Sequence, residues 1–148
     1  MLERRIEQRS EHSRELAMSL AGPEGFVAVA RDAAGVSAES VAWQALLLEF
    51  RAHAARDAAL NDRYLALHRR TIASVSDIVA GLFERGGSRP PLPPATLATL
   101  ILAIGTGLAA ELLADPRFDV RAMATHAAQA LVATRPKVPV PRRTRRTA

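Results

Sequence analysis

From Trp43 to Leu82 the bulky side chains return every third or fourth residue, with one interruption, and that rhythm decides the fold class. Trp43, Leu47, Phe50 and Ala54 stand at steps of four, three and four; after Asp57, the series Leu60, Tyr64, Leu67, Thr71, Val75, Ile78 and Leu82 keeps the same period. A half-buried strand would alternate every second residue, so both stretches read as helices with one apolar face. Asp57 suits the N-cap of the second helix, because its carboxylate can accept a bond from an orphan backbone N–H. Gly86-Gly87 suits its end, just past Arg85, since glycine tolerates the left-handed backbone that closes many helices.

Similar punctuation divides the rest of the chain. Met1 to Ala21 carries Leu2, Ile6, Leu16 and Leu20 among many charges and reads as a helix with one modest apolar stripe, ended by Gly22-Pro23. A short helix is expected over Glu24 to Ala34, stopping at Gly35. Ser37, or else Ser40, is the expected cap of the third helix, Ala38 to about Arg56. Four prolines between Ser88 and Pro94 make a stiff loop. A fifth helix runs from there to about Ala114, Asp115-Pro116 breaks it, and a sixth spans about Asp119 to Ala133. The expected architecture is all-α, six helices with no sheet.

Charge narrows the function classes. The chain carries a formal +5, but six of its 20 basic residues, Arg135, Lys137, Arg142, Arg143, Arg145 and Arg146, lie in a tail without acids. The remaining 14 basic residues face 15 acidic ones, a net of −1. The body therefore has no general nucleic-acid signature. The tail, 135–148, alternates proline with basic residues and is expected to be disordered. It can touch phosphates nonspecifically, but without interleaved aromatics it does not support base stacking. No cysteine is present, which excludes disulfides and thiolate metal sites. No basic-then-apolar leader precedes a small-residue cleavage site, so a secretory signal is not expected and the cytoplasm is the expected compartment.

The nineteen residues from Leu92 to Ala110 contain no charge, close to the length of a membrane span. Pro93 and Pro94 use up one end, Thr96, Thr99 and Thr106 are polar, and Glu111 follows directly. A helix buried between subunits is also apolar all round, and no membrane is expected. A membrane-associated helical protein is the alternative.

The run Leu48-Glu49-Phe50-Arg51-Ala52-His53-Ala54-Ala55-Arg56-Asp57-Ala58-Ala59-Leu60 resembles the regulatory domain of TetR-family transcriptional repressors, in which an acidic residue and an aromatic precede an Arg-Asp-Pro turn and a long helix; Ala58 stands where proline is common. Gly105-Thr106-Gly107-Leu108-Ala109-Ala110-Glu111-Leu112-Leu113-Ala114-Asp115-Pro116 resembles the end of the family's penultimate helix. Met1 to Ala21 resembles its linker helix. The pattern is nearest the subgroup with BetI-like regulatory domains and covers residues 1–134. The resemblance implies a TetR-like regulatory domain that binds an effector and forms a homodimer, its last two helices pairing with their copies as a four-helix bundle. The family's front domain, with its helix-turn-helix, has no counterpart in these residues, so specific DNA contact is expected only through such a domain and weak contact through the basic tail. A standalone helical interaction module remains the other alternative.

Two sets of residues follow as candidates. Trp43 and Phe50 share a face of the third helix, Tyr64 and His68 are four apart on the fourth, and a tight turn at Asp57 packs the two helices antiparallel. As a functional set these four border a cavity for a small apolar effector, with tyrosine or histidine orienting one polar group. The competing reading is a filled aromatic core, in which Phe83 would take part too. For the dimer the candidates are Leu100, Ile104, Gly107 and Leu108. Glycine inside a helix costs up to ~1 kcal/mol against alanine, and close approach of a second helix is one reason to keep it.

Catalysis finds no footing. Glu49 and His53 can share a face and face His68, yet no H-E-x-x-H pattern is present, and a rim or ion-paired histidine accounts for them. His12 and His126 are isolated. Gly105-x-Gly107 follows no strand and is not a dinucleotide fingerprint. No enzyme activity, metal or cofactor is expected.

Overall fold

The computed structural model describes residues 2–34 and 38–133, and among them every regular element is a helix. These are α1 (Leu2–Met18), α2 (Gly22–Ala33), α3 (Ala38–Ala54), α4 (Ala58–Arg85), α5 (Pro94–Ala114) and α6 (Val120–Ala133). The expected stop at Gly35, the cap at Ser37 and the basic tail lie outside the described residues; Ser40 falls within α3, past its first residue.

The helix ends follow from local chemistry. The Asp57 carboxylate accepts the Leu60 N–H at 3.0 Å and starts α4. Its other end is closed by a pair of bonds, Ser88 N–H to the Phe83 carbonyl and Gly87 N–H to the Glu84 carbonyl, both 3.0 Å, with Gly87 at φ 58°. That is a Schellman closure, and the positive φ is why glycine stands there. Asp119 caps α6 through the Ala122 N–H at 2.9 Å. Pro94 opens α5, where its missing N–H costs nothing. The Gly22-Pro23 break is real but belongs to the start of α2: α1 is already finished at Met18, and Pro23 sits in the first turn of the next helix.

α4 is the spine. α5 turns back along it, α3 and α6 flank α5, α1 and α2 pack on α4, and α2 also lies against α6. At the end where α4 finishes and α5 begins, packing is dense. Leu82, Phe83 and Leu97 are 0%, 1% and 0% exposed, joined by Phe26, Val79, Ala17 and Ala128. The Phe26 and Phe83 rings meet tilted, 6.2 Å between centroids.

Two contacts fasten α1 and α2 to this end. Arg85 donates to the Ala17 carbonyl at 2.6 Å and, through Nε, to the Leu20 carbonyl at 3.1 Å. These carbonyls lie at and just past the end of α1; that of Ala17 also accepts the Leu20 N–H at 3.1 Å, and a cation there meets the negative end of the helix dipole. Beside it, the backbones of Gly22 and Gly86 cross so closely that a Cβ on Gly86 would lie 2.6 Å from the Gly22 Cα and N.

α5 is long and apolar enough to cross a membrane by length and composition, yet it packs against three helices here. Only 17% of its most apolar stretch is buried by this one chain.

Gly86→Ala is expected to force the α2–α4 crossing apart and to destabilise by ~1–3 kcal/mol, as overpacking does. Thermal melts should show a fall of several degrees, at ~2–4 °C per kcal/mol for a domain of this size. Unchanged melting would mean that the crossing relaxes freely.

Candidate functional site

Beside the dense end, whose Phe26, Val79, Leu82 and Ala128 also line it, the helices part around a cavity of about 280 Å³, partly open to solvent and lined from all six helices. Its walls are mostly aliphatic. α2 contributes Val29, α4 Leu67 and Val75, α5 Ile101, Ile104 and Leu108, and α6 Ala124 and Leu131. The polar side chains on the lining are Arg9, Ser13, Gln44, Arg51, Tyr64, His68, Thr71 and Thr106; among the described residues no aspartate or glutamate lines it.

The polar corner is built where the end of α3 meets the first half of α4. Arg51, in the last turn of α3, donates to the Thr106 hydroxyl on α5 at 3.1 Å. Thr106 in turn donates to the Leu102 carbonyl at 2.9 Å, so the hydroxyl is held as an acceptor for the guanidinium. The Arg51 guanidinium carbon also lies 5.5 Å from the centre of the Tyr64 ring, within range of a cation–π contact. His68, one turn beyond Tyr64, stacks on it at 5.7 Å between centroids and 14° between planes.

This arrangement sets the protonation states. Burial pushes the Tyr64 hydroxyl above its ordinary value, with the positive charge of Arg51 pulling partly back. Burial, and secondly the same Arg51 charge, hold the His68 imidazole below 6.5, its ordinary value. At neutral pH both rings are therefore uncharged, and Arg51 is the charged group of the corner.

Of the four residues chosen from sequence as pocket candidates, Trp43, Tyr64 and His68 line the cavity. Phe50 does not. Its ring lies against Tyr64, tilted at 6.0 Å between centroids, and backs that residue from outside. Phe83 is in the dry core. Arg51, Gln44 and Thr106 went unmarked in sequence, although they supply much of the polarity. Glu49 and His53 are exposed, and among the described residues no three acidic, histidine or cysteine side chains gather as a metal site would require.

On α5, Ile104 and Leu108 face the cavity, while Leu100 and Gly107 lie off it. Gly107 is exposed, and a Cβ placed on it would meet nothing of its own chain within 4 Å.

The family model described as "BetI-type transcriptional repressor, C-terminal" matches residues 24–136. No curated protein and no solved structure gave a significant match.

The lowered His68 value fixes a pH dependence. Just below 6.5 the unfolded chain takes up a proton at this position that the folded chain refuses. The stability associated with neutral His68 is thus full above that pH and is lost as the pH falls through it toward the folded value. His68→Gln is expected to flatten this part of the pH–stability profile. By NMR, His68 should titrate below 6.5 and move partway back up in Arg51→Met. A midpoint at or above the ordinary value would contradict the buried, cation-facing geometry.

Proposed function

The chain belongs to the family of BetI-type transcriptional repressor C-terminal domains, and from that premise we propose that it is the effector-sensing and dimerisation part of a TetR-type regulator. The observation that carries the reading is the cavity: an aliphatic chamber reached from all six helices, with polarity concentrated at one corner. A filled core of this size would show no such space, because protein interiors pack at crystal density. The occupant is a small, largely apolar molecule bordered by Trp43, Tyr64 and His68. Phe50 supports the site by holding Tyr64. In a regulator of this kind, an effector that binds one arrangement better than the other moves the population toward it. No catalytic role is proposed, and the proposed setting is the cytoplasm.

The partner proposed for α5 and α6 is a second copy of the chain. The poorly buried apolar surface of α5 supports this, as does Met123 on α6, 38% exposed. Leu100 and Gly107 form the middle of the proposed seam, with Ile104 and Leu108 at its margin, where it adjoins the cavity. Pairing by a two-fold axis uses the same patch twice.

Trp43 is the only tryptophan and is 8% exposed, so its emission reports on the cavity without interference. Titration with a panel of apolar compounds is expected to shift or quench that emission and to raise the melting temperature, since a ligand at a hundredfold its Kd adds ~2.7 kcal/mol. A panel that leaves both readouts unmoved would count against the effector reading.

Sedimentation at micromolar concentration is expected to show a dimer. Gly107→Leu should weaken it while leaving helicity intact, because the chain itself offers no clash at that position. A monomeric wild type, or recovery only in detergent, would sink the proposed seam; the second outcome would turn α5 toward a bilayer instead.

A further inference from the structure

We propose that the effector is an organic anion, an apolar body bearing one carboxylate or equivalent acidic group, and that Arg51 is the residue that selects it. The inference rests on the effector reading above and specifies the chemistry of that same site.

The argument begins with what surrounds the guanidinium. Arg51 is half-buried, and its protein contacts are one hydroxyl, Thr106, and the face of one ring, Tyr64. Neither neutralises its charge. Among the described residues it has no carboxylate partner, and no acidic side chain lines the cavity. A charge partly withdrawn from water without a counter-ion loses some of its hydration, and an anion arriving with the ligand makes up that loss.

The neighbours strengthen the preference. His68 is kept neutral, so it neither repels a cation nor competes for the anion as a second charge. Thr106 takes one N–H of a group that has five, which leaves donors for the planar, two-point grip that a guanidinium offers a carboxylate. With Arg51 and, among the described residues, no acidic side chain on the wall, the corner favours acids and disfavours ammonium compounds of the same shape. The aliphatic remainder of the lining accommodates the rest of such a molecule, and the Arg51 corner gives it one orientation.

The test uses three ligands with the same tail and different heads: decanoate, decanol and decylamine, each well below its micellar concentration, titrated into the full chain by calorimetry and Trp43 fluorescence. Decanoate is expected to bind on the order of tenfold to a hundredfold more tightly than decanol, as for a charge-assisted hydrogen bond, with decylamine weakest. Arg51→Met should remove the preference for the acid and leave decanol binding within a few-fold. Thr106→Val, which removes the protein's own acceptor but keeps the cation, should retain the preference. Equal binding of acid and alcohol by the wild-type chain, or an acid preference that survives Arg51→Met, overturns the assignment to Arg51 while leaving the apolar cavity as an effector site. No binding of any of the three overturns the effector reading itself and this inference with it.

Discussion

Leu82, Phe83 and Leu97 are closed off almost completely, and the rest of the molecule depends on that closure. An apolar space of about 280 Å³ is expensive to keep. At ~24 cal/mol per Å³, the packing forgone reaches up to roughly 7 kcal/mol, and solvent entering the open side lessens it. Helices free to adjust would collapse into it. They are not free, because α4 and α5 are locked at their shared end, and α1 and α2 are fastened there by Arg85 and by the Gly22–Gly86 crossing. The dense end fixes where the helices diverge; the divergence leaves the chamber.

Within the chamber one charge organises the polar atoms. Arg51 ties α3 to α5 through Thr106, lies over Tyr64, and adds to the burial that keeps His68 uncharged. These are weak contacts taken singly. A hydrogen bond to a neutral hydroxyl and a cation–π contact each contribute about 1 kcal/mol, far short of the cost of an unpaired buried charge. Half-exposure makes the arrangement tolerable: water reaches the guanidinium when the cavity is empty. The corner is thus stable without a ligand and still unsaturated, as a binding site has to be.

The fold was legible because its signals are local. Period, caps and breaks act within a few residues, and Asp57 and Gly87 bond where the sequence suggests. At Gly22-Pro23 both neighbouring helices have a claim on the same two residues; α1 ends at Met18 and the Gly25 N–H bonds the Ala21 carbonyl, which gives them to α2. The site was legible in part for a related reason. Apolar periodicity on α3 picks out Trp43, Leu47 and Phe50, whereas the residues it turns to the cavity are Val41, Trp43, Gln44, Leu47 and Arg51, so Phe50 drops out and two polar side chains come in. Hydrophobicity marks the apolar wall but not the polar residues that would orient a ligand. An arginine in the last turn of a helix looks like a surface charge complementing the dipole, and nothing nearby in sequence says otherwise. Its partner, Thr106, is 55 residues away.

α5 has two obligations that its sequence meets with different residues. Ile101, Ile104 and Leu108 belong to the cavity wall, and Thr106 holds the polar corner. Leu100 and Gly107, on the surface turned away from the cavity, are left to whatever covers the helix from outside. A helix is stiff across its width, so a wall that shifts to admit an occupant carries the opposite surface with it. If a second copy covers that surface, the two events cannot be independent: occupancy that favours one placement of α5 must favour the subunit packing compatible with it, and by linkage the packing must alter affinity by the same factor. The lack of any own-chain contact for a Cβ at Gly107 matters here. At that position no side chain of its own chain stands in the way, so a second copy seated there would couple the cavity and the seam through a single helix.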